Sequence, residues 1–202
     1  MNDLYTTIAA PTTGEFKDRG SKFHAYTYAV YSTDDIKNCL EEVRQIHPKA
    51  RHHCFSWRLG TDGMQYRAND DGEPSGTAGR PMLGQIDSFG LTNVLVIVVR
   101  YFGGTKLGVP GLINAYKRAT IDALEQAEII EKTVDNIYQL TFGYEIMSDV
   151  MNFVKKAKLN IIRQEFEVAG LIEFALRQSE TEAILEQIKK IDKLKCTFLK
   201  TQ

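Results

Sequence analysis

NVLVIVVRYFGGTKLGVPGLINAY, residues 93–116, carries the strongest structural signal in the sequence. Its first part, Asn93–Phe102, is β-branched and apolar on both faces, which predicts a central strand that is covered on both sides. A glycine-rich loop, Gly103–Gly111, then leads into a long helix. Apolar residues at helical spacing predict the packed face of this helix. They are Leu112, Ala115, Tyr116, Ala119, Ala123, Leu124 and Ala127.

The residues before this run supply the remainder of a first domain. Glu15–Arg19 and Lys22–Val30 are predicted as strands from their composition and alternation. A helix is then predicted from an N-cap within residues 32–34 to about Ile46. The elements that follow toward residue 93 are a strand at His52–Leu59, its hairpin partner at Met64–Ala68 and a short helix around Arg80–Ile86.

The sequence changes character near Ile129–Asp135, and we place a domain boundary there, with domains at residues 1–131 and 132–202. Beyond the boundary the periodicity predicts a strand, a helix, two strands, a helix and a final strand. This β-α-β-β-α-β order is typical of a ferredoxin-like split βαβ domain. The turn Ala169–Gly170 favours a tight hairpin between the two middle strands. The fold class predicted for the whole chain is therefore α+β.

The composition limits the classes of function. The 202 residues include 25 Lys and Arg against 26 Asp and Glu, a formal net charge of −1 with both signs mixed along the chain. No strongly basic field exists to hold duplex DNA, so we expect no duplex-DNA binding, although a local basic patch is compatible with these numbers. The longest apolar stretch, Val94–Val99, is too short to span a bilayer, and we expect no membrane partner.

Cysteine usage and the first residues of the sequence indicate the compartment. Cys39, Cys54 and Cys196 lie far apart and form no Cys-x-x-Cys pair. An odd and sparse set of this kind indicates reduced thiols in a reducing environment. No signal peptide is recognisable at the start of the sequence. We therefore expect a cytoplasmic protein.

The first motif suited to chemistry is DDGEPSGTAGRP, residues 70–81. Backbone N–H groups freed by glycines at a helix start form an anion site, and carboxylates such as Asp71 and Glu73 suit a Mg²⁺ ion that bridges to a phosphate. The motif is not a Walker A loop, because the Gly-Lys-Ser/Thr ending is missing. The alternative is a capped turn without a ligand, in which Ser75 or Thr77 caps the helix.

The second motif is RYFGGTKLGVPG, residues 100–111, where the buried strand ends and a helix begins. Ligands of open α/β folds collect beyond the carboxyl ends of strands, where such turns lie. Arg100 and Lys106 add positive charge, and Tyr101 and Phe102 offer rings for stacking on a base if they are exposed. The alternative is that the glycines supply positive φ angles while the aromatic residues belong to the core.

The third motif is KARHHCFSWR, residues 49–58. Alternation along a strand puts His52 and Cys54 on one face, either as metal ligands or as a thiol and its base. Structural zinc needs four ligands and no second cluster has a usable spacing. We favour a small buried cysteine beside a hydrogen-bonded histidine. Arg51 belongs to a basic corner that either contacts phosphate or is only solvated.

ARHHCFSWRLG (50–60), DDGEPSGTAGRPML (70–83) and the run at 93–116 together resemble the signature of the Impact/YigZ family, over roughly residues 15–125. The resemblance implies a first domain with the fold of the second domain of small-subunit ribosomal protein five. The second domain is similar, by pattern and position, to ferredoxin-like modules of elongation factor G. Eukaryotic members restrain a kinase that phosphorylates an initiation factor, by competing for its activator, and that partner is not carried over here. RNA or ribosome association is the inference that the fold suggests for bacterial members, by analogy.

The sequence and this resemblance together predict a translation-linked regulatory protein that binds RNA, the ribosome or a translation-associated partner. The predicted anion- or nucleic-acid-binding residues are Arg51, His52, Asp71, Glu73, Ser75, Thr77, Arg100, Gly103, Gly104 and Lys106. In this hypothesis the cationic side chains meet phosphates, and the glycines and the Ser75–Thr77 segment contribute backbone donors.

Two further hypotheses stay open at this point. One is a Mg²⁺-dependent enzyme that acts on a phosphorylated or nucleotide-like small molecule, with Asp71 and Glu73 placing the ion. The other is a protein-interaction module marked by an exposed apolar patch at Tyr101 or Phe102. The family brings no catalytic residues, so we assign no catalytic residue, cofactor or metal site and favour a non-enzymatic role. Both the RNA-binding and the enzyme hypotheses require the 70–79 and 103–111 loops to meet in one pocket.

Overall fold

A computed structural model describes residues 3–201 and divides the chain into two compact units. One unit contains residues 5–132. The other contains residues 133–201 together with residues 3–4. Each unit has its own sheet and its own hydrophobic core. Helices packed on antiparallel sheets in both units confirm the predicted α+β class.

The first unit is built on a five-stranded antiparallel sheet with the strand order β2-β3-β6-β4-β5. The elements in chain order are β1 (Leu4–Ile8), β2 (Thr12–Asp18), β3 (Ser21–Ala29), α1 (Thr33–Ile46), β4 (His52–Leu59), β5 (Gln65–Asn69), α2 (Gly79–Ser88), β6 (Val94–Tyr101), α3 (Gly108–Glu125) and β7 (Ile129–Thr133). Strands β1 and β7 pair in a separate two-stranded sheet.

Strand β6 is the centre of this unit, as its composition predicts. Val94, Val96 and Val98 pack into the core formed with α2 and α3, whereas the intervening residues pack into the core formed with α1. Residues 94–99 have no exposed surface. A strand that is buried on both faces has no use for alternating polar residues, and this explains the unbroken apolar run in the sequence.

Helix α1 begins where the sequence indicates. The Ser32 hydroxyl accepts a hydrogen bond from the Asp35 N–H at 3.1 Å, which is the geometry of an N-cap. Ile36, Leu40 and Val43 are its buried residues, and they cover one face of the sheet. The amphipathic pattern of the sequence therefore places α1 correctly.

Strands β1 and β7 were not predicted. The sequence analysis assigned no element to the first, and it treated the segment around Ile129–Asp135 as a boundary. Both strands have five residues, and within residues 3–201 each pairs only with the other, some 120 positions away along the chain. Pairing at that distance leaves no local signal in either segment.

The second unit has a four-stranded antiparallel sheet with the order β11-β8-β10-β9. Its elements are β8 (Asp135–Phe142), α4 (Met147–Lys156), β9 (Asn160–Phe166), β10 (Gly170–Arg177), α5 (Thr181–Ile188) and β11 (Lys195–Thr201), with short 3₁₀ turns before each helix. Leu140, Ile172 and Phe174 are fully buried in the core that both helices share with the sheet. The predicted β-α-β-β-α-β order is confirmed, while the likeness to elongation factor G modules stays a prediction.

Residues 3–4 belong to this second unit rather than to the one that follows them in sequence. The Asp3 carboxylate accepts a hydrogen bond from the Ser179 hydroxyl at 2.5 Å and pairs with the Arg177 guanidinium at 3.2 Å. The Asp3 carbonyl also accepts the Val134 N–H at 2.7 Å. In the part of the chain that the structure describes, no helix is long and apolar enough to cross a membrane.

Candidate functional site

The three motifs of the first unit meet at one end of its sheet, where β6 ends and β3 and β4 begin. His52 and Phe23 are the sheet neighbours of Arg100 on the two flanking strands. A cavity of about 740 Å³ opens beside them. Its polar and aromatic lining includes Lys49, Arg51, His52, Glu73, Arg100, Phe102 and Lys106. The loops predicted at residues 70–79 and 103–111 therefore do share one cavity. Between the observed elements they span residues 70–78 (the acidic loop) and 102–107 (the basic loop).

A buried ion pair joins the acidic loop to β6. The Arg100 guanidinium, in a residue that is 7% exposed, donates to Glu73 Oε1 at 2.7 Å. The Tyr116 hydroxyl of α3 donates to the same oxygen at 3.0 Å. Burial, followed by the neighbouring Cys54 thiol and the Glu73 carboxylate, raises the pKa of Tyr116 far above its ordinary value. These two predicted ligands of an external group, Glu73 and Arg100, are thus largely engaged with each other.

Cys54 is a structural residue. Its Sγ lies 3.0 Å from the Asp70 carbonyl oxygen and 3.3 Å from the Tyr116 hydroxyl, and the side chain has no exposed surface. Burial raises the pKa of the Cys54 thiol, against a smaller opposing effect of the Tyr116 hydrogen bond. A thiol that stays protonated is neither a nucleophile nor a metal ligand. The interpretation of Cys54 as a small buried cysteine is confirmed.

The acidic loop is closed by its own first residue. The Asp70 carboxylate accepts backbone N–H bonds from Gly76, Ala78 and Gly79 at 2.8, 3.0 and 2.8 Å. Burial acts to raise the pKa of Asp70, but these three donors together with Arg80 outweigh it and hold the pKa below its usual value. The start of α2 already contains an anion that the chain supplies. An external phosphate would find those donors occupied.

The remaining predicted residues of the acidic loop are also engaged internally or lie outside the cavity. Asp71, with a positive φ of 40°, accepts the His53 N–H on its carboxylate at 2.7 Å. The Thr77 hydroxyl is buried and donates to the Pro74 carbonyl at 2.6 Å, and Ser75 is exposed. The prediction of a helix cap at Ser75 or Thr77 was wrong, because the Asp70 carboxylate accepts the N–H groups of Ala78 and Gly79 at the start of α2. Asp71, Ser75 and Thr77 do not line the cavity.

No ligand set for a metal ion emerges from this geometry. Glu73 bonds to Arg100 and Tyr116, whereas the Asp71 carboxylate faces the backbone of His53. Across residues 3–201, no group of three or more His, Cys, Asp or Glu side chains is placed to hold a metal. The hypothesis that Asp71 and Glu73 place Mg²⁺ together has no structural observation in its favour.

The two glycines predicted in the basic loop have different roles. A Cβ on Gly103 would lie 1.9 Å from the Gly20 carbonyl carbon, so only glycine allows the close approach of this loop to the β2–β3 turn. The Gly103 N–H donates to the Ser21 hydroxyl at 3.2 Å and is already used. Gly104 has a φ of +88° in open space. Gly104 thus turns the chain, and Gly103 packs it.

Unpaired positive charge surrounds the mouth of the cavity. Lys49, Arg51 and Lys106 are exposed, and none of them forms an ion pair within residues 3–201. The lining holds four cationic side chains and one carboxylate, which leaves a net charge of +3 with His52 neutral. The whole chain has a net charge of −1. The local basic patch that the composition allowed is therefore at this cavity.

The aromatic residues of the second motif divide between surface and interior. Phe102 is 60% exposed, and Arg100 Cζ lies 5.5 Å from its ring centroid and 5.5 Å from that of Phe23. Tyr101 is half-buried, and its hydroxyl is hydrogen-bonded to His47 Nδ1 at 2.9 Å. Phe102 is thus available for stacking, whereas Tyr101 also lines the cavity but has its hydroxyl engaged by His47.

His52 is held in a defined orientation at the cavity. Its Nδ1 lies 2.8 Å from the Asp71 carbonyl oxygen, and because a carbonyl only accepts, Nδ1 carries the hydrogen. Nε2 is then the ring nitrogen available to a ligand. The carbonyl of Asp71, rather than its predicted carboxylate, is what this residue contributes to the site.

Asp70, Ser21 and Tyr116 also belong to the site, although they were not predicted as site residues. Tyr116 was assigned to the packed face of α3, which is correct for its ring, while its hydroxyl reaches Glu73. A buried tyrosine hydroxyl needs a partner, so a tyrosine within an otherwise Ala- and Leu-rich helix face is the signal that would have found it. Ser21 begins β3 without any motif of its own.

Comparison with known proteins agrees with the motif analysis. The Impact N-terminal domain family matches residues 19–124. The chain is 35% identical over 170 residues to the IMPACT family member YigZ of Escherichia coli, covering 83% of each chain. It is 28% identical over 193 residues to the IMPACT family member YvyE of Bacillus subtilis, covering 95% of this chain and 88% of the relative.

A solved structure resembles the whole chain. The crystal structure of a hypothetical protein superposes with a TM-score of 0.77 at 30% identity and covers 99% of both chains. The likeness therefore extends through both units rather than through the motif-bearing unit alone. With the three motifs, the family match over residues 19–124 and the YigZ relative in agreement, the chain belongs to the IMPACT family.

Proposed function

We propose that this protein is a translation-linked regulator that binds single-stranded RNA at the cavity between the acidic and basic loops. One observation carries the proposal. Lys49, Arg51 and Lys106, none of them engaged in an ion pair within residues 3–201, line the same cavity as an exposed aromatic ring, Phe102. Cations that follow a sugar–phosphate backbone beside a ring on which a base stacks are the parts that single-strand binding proteins share.

The distribution of charge favours a single strand over a duplex. A net charge of +3 at the cavity sits in a chain with a net charge of −1, so the attraction is local. Binding along a duplex needs a field that extends over many phosphates. A concave site of about 740 Å³ accepts an unstacked nucleotide instead.

The link to translation comes from the family. Membership of the IMPACT family implies the regulatory role in translation that its eukaryotic members have, and single-stranded RNA is present on the ribosome and on messengers. Ribosomal RNA is therefore included in the proposal as a target. A cytoplasmic location fits Cys39, Cys54 and Cys196, which are all free thiols.

The cations of the cavity favour RNA over a protein partner or a nucleotide-processing enzyme. The lining combines apolar residues such as Phe102, Leu107 and Val109 with four cationic side chains, and its net charge of +3 favours a polyanion over an apolar protein surface. The enzyme would need the metal ligands that residues 3–201 do not assemble.

The test measures fluorescence anisotropy of a labelled 12-nucleotide RNA at several KCl concentrations. Arg51→Ala with Lys106→Ala should weaken binding about tenfold and reduce the salt slope by about 0.7 for each phosphate that the variant no longer neutralises. Arg100 is left intact because its loss would leave the buried Glu73 carboxylate without its ion-pair partner and destabilise the fold. The matched control is Lys117→Ala with Arg118→Ala, which removes the same charge from exposed positions of α3 outside the cavity. Absence of RNA binding at low salt, or equal losses in both double variants, would contradict the proposal.

A further inference from the structure

The first turn of α3 faces the cavity with its backbone donors uncapped. Leu107, Gly108 and Val109 line the cavity at the start of this 18-residue helix. No side chain among residues 3–201 caps the terminus, and its first turn contains no acidic residue. At the start of α2, in contrast, the Asp70 carboxylate accepts three N–H groups. A helix start with free N–H groups and a positive dipole end attracts an anion.

A second observation, independent of the helix, points to a ligand at the same place. Arg100 is 7% exposed and lines this cavity, and its Nε–H has no hydrogen-bond acceptor within residues 3–201. Its guanidinium has five donors, yet the acceptors it reaches are Glu73 Oε1 and, at 3.5 Å, Ser21 Oγ. Buried donors are nearly always paired. The Nε atom itself is enclosed, so a ligand oxygen in the cavity would reach the Nη donors of Arg100 that Glu73 and Ser21 leave unused.

The charge of the cavity favours a dianion over a monoanion. Its lining has a net charge of +3, whereas an internal phosphodiester of RNA brings only one negative charge. A phosphate monoester carries close to two negative charges above pH 7 and has three free oxygens. A monoester directs three free oxygens and nearly two charges to the helix start and the guanidinium, whereas an internal phosphodiester offers two oxygens and one charge. The geometry therefore selects the end of a nucleic acid over its interior.

We propose that the cavity binds a phosphate monoester at the first turn of α3, as presented by the 5′-phosphorylated end of RNA or by a free mononucleotide. The inference rests on the proposed function in its RNA form, because it names which part of the RNA is held. Arg100 and the N–H groups of Gly108 and Val109 would hold the phosphate, since Pro110 in the same turn has no N–H. Phe102 would stack on the adjoining base.

The experiment compares three probes on the full chain at pH 7.5: a 5′-phosphorylated RNA 12-mer, the same RNA with a 5′-hydroxyl, and AMP. We expect the 5′-phosphorylated RNA to bind about tenfold more tightly than the 5′-hydroxyl form. Equal binding of both RNAs would overturn this inference and leave the proposed function in place. Binding of AMP without either RNA would support the monoester site and contradict the RNA function. Absence of binding by all three probes would overturn both.

A variant identifies the place of binding without a risk to the fold. Val109→Asp puts a carboxylate on an exposed residue of the first turn, where an acid stabilises a helix but repels a phosphate. Val109→Asp should abolish the preference for the 5′-phosphorylated RNA. Val109→Asn introduces a side chain of the same shape as aspartate without its charge and should reduce that preference less. Asn38→Asp adds the same charge on the exposed face of α1, outside the cavity, and should keep the preference. A preference that survives Val109→Asp would place the phosphate elsewhere and overturn the inference.

Discussion

The acidic and basic loops are alike in sequence, since both are rich in glycine and both precede a helix, yet they are built in opposite ways. In the acidic loop, side chains bind the loop's own backbone, and Asp70 accepts three N–H groups. In the basic loop the backbone conformation of Gly104 and the packing of Gly103 fix the shape, while Lys106 extends into solvent. A loop that satisfies its own polar groups is a structural support, and one that leaves them unpaired is available for a ligand.

The largest loss of stability is expected at the buried ion pair that joins the acidic loop to β6. Glu73→Gln leaves the buried charge of Arg100 without its partner and should lower the free energy of unfolding by about 3–5 kcal/mol. Urea denaturation of the purified protein measures this loss. The control is Asp87→Asn, which breaks the more exposed pair with Arg58 and should cost less than about 1 kcal/mol. Similar losses for the two variants would show that the buried pair does not support the site.

The next effect concerns the closure of the acidic loop. Asp70→Ala leaves three N–H groups at the start of α2 without an acceptor and should cost about 2–3 kcal/mol in urea denaturation. Ser75→Ala, at an exposed neighbouring position, should change stability by less than about 0.5 kcal/mol.

The same variant has a pH signature. The folded pKa of Asp70 is depressed, so its contribution is fully present above the pKa of the unfolded carboxyl and is lost as the pH falls through the folded pKa. The stability difference between the wild type and Asp70→Ala should therefore narrow on acidification below about pH 4. A difference that stays constant with pH would contradict the assigned role of the carboxylate.

The smallest change in stability is expected in the basic loop. Gly104→Ala forces a non-glycine residue to a φ of +88° without any steric clash and should cost about 1–2 kcal/mol. Gly84→Ala, also in open space but inside α2, should instead stabilise the protein by about 0.5–1 kcal/mol. Thermal unfolding of both variants measures the two opposite signs. A neutral Gly104→Ala would mean that the loop does not depend on its backbone conformation.

The central strand and the helices were predictable because each carries its own periodic pattern. Strand β6 is apolar on both faces, and α1 has Ser32 as a cap and apolar residues at helical spacing. Strands β1 and β7 were not predictable, because each is short and finds its partner at the far end of the first unit. Local pattern reveals what a segment buries, but not which remote segment it pairs with.

The candidate site was predictable in its parts and not in their roles. The motifs identified Arg51, Glu73, Arg100 and Lys106 as cavity residues. Asp70 and Asp71 look equivalent in the sequence. In the structure Asp71 has a positive φ, and the two carboxylates have different partners, so only that of Asp70 caps α2. Arg100 and Glu73 are 27 positions apart in the chain, so their ion pair is formed by the tertiary fold and leaves no local signal in the sequence.

The assignment of residues 3–4 to the second unit changes how the chain is to be divided. Residues 5–132 are an insertion within the second unit, and the strands at the two ends of this insertion pair with each other. A single cut between the two units near residue 132 would leave Asp3 on a different polypeptide from its partners Arg177 and Ser179. Excision of the insertion as a cassette, with Leu4 spliced to Thr133, keeps those partners on one polypeptide. The excised cassette, whose ends are neighbours, is in turn suited to circular permutation.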